Sequence, residues 1–352
     1  MTIMVTGGAG FIGSNFILDW FTKNDEQVIN VDKLTYAGNL QNLKALETNS
    51  KHVFIKEDIL NTKKLTELIT NYRPRYIVNF AAESHVDRSI YAPDQFIQTN
   101  IVGTYSLLES IRSIWNDMSL SDKSSFRFLH VSTDEVYGSL GSNEQAFIET
   151  NQYKPNSPYS ASKAASDHLV RAYYKTYNIP VLTTNCSNNY GPFQFPEKLI
   201  PLVLHNALIG KEIPIYGDGM QIRDWLFVGD HCNAINAVLN EGKIGEIYNV
   251  GGLNEKTNIE IVTLLCDTLD QLIPNSNGLS YKSQISYVKD RPGHDKRYAI
   301  NSSKIEKNLN WRPIETFETG LKKTIEWYLA NQDWVKNVTS GDYLKWVEDN
   351  YS

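Results

Sequence analysis

A chain of 352 residues with 41% apolar and 21% charged side chains has the composition of a folded protein, large enough for one extended or two ordinary domains. Its net charge of −6, with no run of Lys or Arg, argues against nucleic acid as a partner. No apolar stretch approaches the roughly 18 residues of a membrane span. Met1-Thr2-Ile3-Met4-Val5 runs directly into a strand-like segment, and Cys186, Cys232 and Cys266 lack metal-ligand or redox spacing. The expectation is therefore a cytoplasmic protein with reduced core thiols, no membrane contact and no metal.

Ile3 to Thr6 reads as a short buried strand, and Gly7-Gly8-Ala9-Gly10-Phe11-Ile12-Gly13 follows at once, ahead of a helix from Ser14 through Trp20. Glycines in such a loop permit a tight turn and close approach of backbone to a pyrophosphate, while the helix start offers N–H groups and the positive end of its dipole. A second strand, Gln27 to Val31, ends in Asp32, about 20 residues past the loop, where a carboxylate holds the ribose hydroxyls of a dinucleotide. Asp32 repels a 2′-phosphate and so favours NAD over NADP, although Lys33 softens that preference. Val53 to Ile55 forms the next strand, leading to Asp58-Ile59, a candidate adenine contact.

Tyr76 to Phe80 is a further strand, followed by Ala81-Ala82-Glu83-Ser84-His85, whose small residues let a cofactor lie against the backbone. His85 reads equally as a ligand or as a cap within its loop. A helix over roughly Asp94 to Trp115 carries Thr99, Asn100 and Gly103, and Phe126 to Ser132 closes the series. Strands alternating with helices require a Rossmann-type α/β fold with a doubly wound parallel sheet.

That last strand stops abruptly at Ser132, Thr133, Asp134 and Glu135. Ligands of parallel sheets sit beyond the carboxyl ends of their strands, and two adjacent carboxylates there suit an acid and a base; a charged surface turn is the competing explanation. After a polar loop, Tyr159 and Lys163 fall four apart in a helix that continues through Tyr174, so they share one face. An ammonium beside a phenol favours the phenolate, and lowering a tyrosine from ~10 to near neutral needs roughly 4 kcal/mol of differential stabilisation, which Lys163 and a positive nicotinamide are expected to supply together. From Val181 onward the pattern loosens into an amide-rich turn, Asn185 to Pro192, and Pro-punctuated loops bearing Lys198, Arg223 and Arg291. Each of these cations suits either a phosphate or a solvated surface. Aromatic-rich helical segments, Ile325 to Ala330 and Tyr343 to Val347, are expected to pack onto the body.

These pieces together resemble the extended short-chain dehydrogenase/reductases over nearly the whole chain, through Gly7 to Gly13, Asp32, Thr99-Asn100, Gly103-Thr104, Tyr159 to Lys163, Phe227 to Asp230 and Tyr248 to Gly251. Within that family, Ser132 to Gly138 is similar to the nucleotide-sugar 4,6-dehydratases, whereas sugar 4-epimerases lack the adjacent Asp-Glu. Asp32 to Gly38, Ala82 to Ser89 and Asp290 to Asp295 resemble most closely the branch that takes dTDP-glucose. The resemblance implies NAD held by Gly7, Gly10, Phe11, Ile12, Gly13, Asp32, Lys33, Leu34, Thr35, Asp58, Ile59, Ala81, Thr99, Tyr159, Lys163 and Asn189. It implies a nucleotide sugar held by Ser84, Thr133, Asn188, Lys198, Leu199, Pro214, Ile215, Tyr216, Arg223, Asn258, Asp290, Arg291 and His294. Thr133, Asp134, Glu135, Tyr159 and Lys163 then carry the chemistry. The implied organisation is an NAD-binding domain over 1–190, completed by segments near 230–253 and 312–332. A smaller mixed α/β substrate-binding domain makes up the rest of 191–352, and two chains dimerise through the Tyr-Lys helix. An epimerase or decarboxylase using the same Tyr-Lys pair, or a non-catalytic NAD-binding member, are the alternatives.

Overall fold

Seven apolar segments line up in parallel as the frame of the molecule. In the computed structural model, which describes residues 1–275 and 277–339, the strands are β1 (Thr2–Thr6), β2 (Gln27–Asp32), β3 (His52–Lys56), β4 (Tyr76–Asn79), β5 (Arg127–Thr133), β6 (Val181–Cys186), β7 (Asn188–Tyr190), β8 (Ile213–Tyr216), β9 (Ile222–Phe227), β10 (Ile247–Val250), β11 (Glu255–Thr257) and β12 (Ile285–Val288). The helices are α1 (Phe11–Lys23), α2 (Thr62–Tyr72), α3 (Val86–Tyr91), α4 (Pro93–Phe96), α5 (Thr104–Trp115), α6 (Leu120–Ser125), α7 (Pro158–Tyr177), α8 (Leu199–Leu208), α9 (Val228–Glu241), α10 (Asn258–Leu272), α11 (Ser303–Leu309), α12 (Phe317–Ala330) and α13 (Gln332–Val338).

The central sheet runs β10-β6-β5-β4-β1-β2-β3 with every neighbouring pair parallel. Its strands are apolar on both faces because helices cover both. Phe16, Ile17 and Trp20 of α1 pack with Ile235 and Val238 of α9 on one face. Leu65 of α2, Leu107, Leu108 and Ile111 of α5, and Val170 of α7 fill the other. Strand order reverses at β1, which has β2 on one side and β4 on the other, so a crevice opens beyond their carboxyl ends.

Two local features aim side chains into that crevice. Helix α7 begins at a capping box in which the Ser157 and Ser160 side chains satisfy each other's backbone, with Pro158 at its first position. The start of the helix is thereby fixed, which sets where Tyr159 and Lys163 point. The expected helix from Asp94 to Trp115 is present but passes through a π-helical turn, Ile97–Gly103, that carries Thr99 and Asn100. Gly103 in that turn lies against Ile59, where a Cβ would come within 2.5 Å of the isoleucine Cδ1.

A second core gathers Ile200, Val203 and Leu204 of α8, Ile261 and Leu265 of α10, and Phe317, Leu321 and Ile325 of α12. Two small sheets, β11-β9-β7 and β12-β8, accompany it. Strand β10 returns from this half of the chain to the edge of the central sheet, whereas α12 stays within the second core. The helical segment Ile325–Ala330 falls inside α12; the one expected over Tyr343 to Val347 lies outside the described residues. Among the described residues, no helix is long and apolar enough to cross a membrane.

Phe16 sits fully buried between Trp20 and Phe80, at ring-centroid distances of 5.6 and 5.4 Å. Phe16→Ala should lower unfolding free energy by about 3–5 kcal/mol in a denaturant titration, through lost transfer energy and the cavity left behind.

Candidate active site

The glycine loop folds back against the end of β4. Gly7 adopts φ +72, and a Cβ there would stand 2.6 Å from the Ala81 nitrogen; one on Gly13 would stand 2.3 Å from the Gly7 carbonyl oxygen. Only hydrogen fits at these places, so the backbone forms a cradle at the start of α1. Asp32 closes one side: its carboxylate accepts from the Ala9 N–H (3.0 Å) and the Leu34 N–H (2.8 Å), and burial raises its pKa. Leu34 therefore contributes through its backbone and does not itself line the cleft. Lys33 pairs with Asp58 at 3.2 Å.

Beyond β4, Asn100 clamps the segment that follows. Its side chain accepts from the Glu83 N–H (2.9 Å), donates to the Glu83 carbonyl (3.0 Å) and reaches the Ser162 hydroxyl on α7 (2.8 Å). His85 caps α3, its Nδ1 accepting from the Arg88 N–H at 3.3 Å, and burial lowers its pKa to about 3.

At the end of β5, Thr133 caps a single 3₁₀ turn, Asp134–Tyr137, its hydroxyl accepting from the Glu135 N–H at 3.3 Å. Gly138, at φ +93, ends the turn. Asp134 is buried, and among the described residues its Oδ2 has no hydrogen-bond partner. Burial, then Glu135 and then Asp224, push the Asp134 carboxyl well above its usual range. Burial also raises Glu135, but Arg291, Arg223 and Lys198 offset it. Two adjacent carboxyls thus meet different fields, which separates an acid from a base.

Tyr159 and Lys163 face the same cleft from α7. The lysine Nζ donates to the Val131 carbonyl at 2.8 Å; burial lowers it to about 8. Burial and the Glu135 charge hold the Tyr159 phenol well above its usual value, against which a bond to Thr133 acts. Desolvation favours the neutral phenol, so the lowering expected from Lys163 and the positive nicotinamide together has to overcome it, and the lysine alone does not.

One continuous cavity is lined by Gly7, Gly10 to Gly13, Asp32, Lys33, Thr35, Asp58, Ile59, Ala81, Ser84, Thr99, Thr133 to Glu135, Tyr159, Lys163, Asn188, Asn189 and Lys198. The remaining expected substrate residues do not line it. Leu199 begins α8, and the Ile215 side chain is buried in the second core. Arg291 and Tyr216 both bond Asp87 at the start of α3. His294 Nδ1 lies 2.6 Å from Asp290, which also accepts from Gln221 (3.1 Å), and Gln221 in turn accepts from Asn258 (3.5 Å). Arg223 spans the gap, bonded to the Asp295 carbonyl (3.0 Å) and stacked 4.3 Å over Tyr298.

Several lining residues carried no signal in the sequence. Glu197 is one, raised to about 7 by burial and bonded by Tyr36 at 3.0 Å. Gly38, the last residue of the Asp32 to Gly38 motif, also lines the cleft, and a Cβ there would stand 2.9 Å from Asp32 Oδ1. Cys186, expected as a core thiol, does lie buried but at the cleft wall, donating to the Ser132 carbonyl at 3.3 Å, with its thiol pushed up to about 12.

Comparison with known proteins agrees with this geometry. A family model described as GDP-mannose 4,6 dehydratase matches residues 4–324. A dTDP-glucose 4,6-dehydratase of Xanthomonas campestris pv. campestris is 58% identical over 97% of this chain and 97% of its own length. A dTDP-glucose 4,6-dehydratase of Streptomyces venezuelae, solved with NAD bound, is 42% identical, with a TM-score of 0.88 over 96% of this chain and 100% of that one. The corresponding enzyme of Bacillus anthracis, also solved in complex with NAD, is 46% identical, with a TM-score of 0.84 over 96% of this chain and 99% of that one. The chain belongs to this 4,6-dehydratase family of extended short-chain dehydrogenase/reductases.

The Asp134 field has a measurable cost. A carboxyl raised in the folded state keeps a proton that the unfolded chain releases above its own pKa of ~3.9, so its contribution to stability falls as pH rises beyond that value. Asp134→Asn should therefore stabilise the fold by about 1–3 kcal/mol near pH 7.5, a gain that shrinks toward about pH 5 in parallel denaturant titrations.

Proposed function

We propose that this chain converts dTDP-glucose to dTDP-4-keto-6-deoxyglucose, an NAD-dependent 4,6-dehydration within deoxysugar biosynthesis such as that of rhamnose. The observation that carries this reading is the pairing of Asp134, pushed toward its acid form, with Glu135, held by three cations, in the cavity that Tyr159 also lines. A 4-epimerase has a use for Tyr159, Lys163 and NAD but none for a buried acid beside a base.

The glycine cradle and the Asp32 carboxylate fit NAD: only hydrogen is tolerated at Gly7 and Gly13, and an acceptor-only group stands where ribose hydroxyls must be held. Held by the Gly7 to Gly13 cradle and Asp32, NAD would supply an acceptor for the C4 hydride and a donor of that hydride to C6. Tyr159 removes the proton of the 4-hydroxyl, and the Lys163 ammonium favours the phenolate that does so. Thr133 hydrogen-bonds the 4-oxygen. Once C4 is a ketone, the C5 proton is acidic enough for a carboxylate, and Glu135 takes it. Asp134 delivers its proton to the departing 6-hydroxyl, which leaves as water, and as hydride returns to C6 the Glu135 carboxyl gives its proton back to C5. Lys198, Arg223 and Arg291, gathered around Glu135, offer cations to the diphosphate while opposing the rise that burial imposes on that base.

The residue roles can be separated by half-reactions. Glu135→Gln or Asp134→Asn should reduce dehydration by roughly 10²–10⁴-fold, the usual weight of a positioned acid or base. Reduction of bound NAD on mixing with dTDP-glucose should survive in part. Stopped-flow absorbance of NADH and mass analysis of the product measure the two steps. Equal loss of both would remove these roles, and an unchanged mass with inverted C4 would make the protein an epimerase.

The same reading places the protein in the cytoplasm as a homodimer formed through α7. Tyr91 (75% exposed), Ile97, Tyr105 and Tyr177 present aromatic and aliphatic surface along α3, the π turn, α5 and α7. Such a patch is costly to leave in water. Tyr105→Asp combined with Tyr177→Asp should convert a dimer to a monomer in sedimentation equilibrium; a parent that sediments as a monomer removes this proposal.

A further inference from the structure

Beneath Lys163 lies a buried polar network that the reaction as described does not use. Lys163, His130, Ser132, Ser166 and Asp167 are all buried. The Thr6 hydroxyl donates to Asn79 Oδ1 (2.7 Å), which assigns the amide, so Asn79 Nδ2 donates to His130 Nδ1 (3.2 Å). The imidazole proton is thereby assigned to Nε2, where Ser166 Oγ stands at 3.2 Å; that hydroxyl donates to the Lys163 carbonyl (2.8 Å) and is free to accept.

Two consequences follow for the lysine. His130 Nε2 is 3.4 Å from Lys163 Nζ, but with a proton on each nitrogen the contact is no hydrogen bond. The ammonium has the Val131 carbonyl as its acceptor, which neutralises no charge. The same Nε2 also stands 3.4 Å from Asp167 Oδ1. This carboxylate takes the Ser132 hydroxyl on Oδ2 (2.9 Å), faces the Tyr153 phenol and, among the described residues, has no hydrogen bond on Oδ1. The Ser132 hydroxyl, the His130 Nε2–H and the Tyr153 phenol are all able to donate, as suits a carboxylate acceptor.

We infer that Asp167, acting across the His130 ring, is the counter-ion that keeps Lys163 an ammonium at working pH, and so is a positioning residue for the hydride-transfer base. A charge taken out of water needs an opposite charge close by, or it neutralises instead. The groups facing Lys163 are Tyr159 and Asp167 on its own helix, His130 on β5 and Cys186 at the end of β6. The thiol and the phenol are both held neutral by burial, and the imidazole is neutral, lowered to about 4. Asp167 is the carboxylate among them. It touches neither the cavity wall nor Tyr159 and works through the lysine's charge.

The inference rests on the proposed use of Tyr159 and Lys163, and a pH profile tests it separately. Asp167→Asn and Asp167→Ser remove the charge with different packing demands, and Asp167→Glu restores it; thermal melts report folding. In the parent, kcat for dTDP-glucose should fall on the alkaline side with Lys163, near 8. In both neutral variants that limb should move down by about one to two pH units, so kcat drops roughly tenfold at about pH 8 and less than about twofold at about pH 6, with KM little changed. The glutamate variant should hold the limb near the parent's position. Nitrogen NMR of labelled lysine, with the Lys163 signal assigned by its loss in Lys163→Arg, should show the same downward shift without substrate. A uniform loss at every pH, or an unmoved lysine titration, overturns the inference. A parent that binds NAD but never dehydrates dTDP-glucose overturns the functional reading instead.

Discussion

Desolvation at the carboxyl end of β5 is the constraint on which the chemistry depends. The strand lies inside an all-parallel sheet covered by helices on both faces, so the chain cannot leave that end without passing a dry wall. Thr133, Asp134, Tyr159 and Lys163 all sit there, buried. Each ionisable group among them is displaced toward its neutral form, the carboxyl and phenol upward and the lysine downward, with burial the largest cause in every case. For Asp134 this displacement supplies the acid form that a free carboxyl lacks near neutral pH, whereas for Tyr159 and Lys163 it opposes the phenolate and the ammonium that the reaction needs, so opposite charge has to restore them.

Neighbouring charge then breaks the symmetry that burial alone would leave. Asp134 meets Glu135 and Asp224, two further carboxylates, and is pushed up by both. Glu135 meets Arg291, Arg223 and Lys198, which oppose its desolvation. The three cations come from the second half of the chain, so folding of the smaller lobe onto the sheet decides which of two adjacent carboxyls is acid and which is base. Asp224 is itself held from that side, by the N–H groups of Gly252 and Asn254 at 2.7 Å each.

The sheet and the nucleotide cradle were legible in the sequence because short-range patterns encode them. Apolar runs bounded by glycine, an acidic residue after the second strand and a Tyr-Lys pair at helical spacing each express a local constraint. Strand ends differ from expectation by a residue or so, as between Tyr76 to Phe80 and Tyr76–Asn79. What escaped was non-local. The π turn at Ile97–Gly103 leaves no mark in periodicity, yet it carries Asn100, which ties Glu83 to α7. Glu197 and Cys186 reach the cleft only because loops distant in sequence converge there. The dryness around Tyr159 was likewise beyond the sequence: spacing reports which residues share a face, but not how dry that face becomes.

Helix α7 joins these levels. Tyr159, Lys163 and Asp167 recur at intervals of four, so the proton acceptor, the ammonium that favours its anion and the carboxylate behind that ammonium form one buried stripe. Side chains so spaced keep their relative positions as long as the helix keeps its rotation. The capping box at Ser157 and Ser160 sets the helix start, and Ser162, bonded to Asn100, sets its face against the neighbouring helix. A loss of either restraint would turn all three groups together, misplacing the phenol and uncovering the buried pair at once. Packing Val170 and Tyr173 into the core beneath the sheet holds the far end of the same helix, so the energy that stabilises the fold also holds the base at its working orientation.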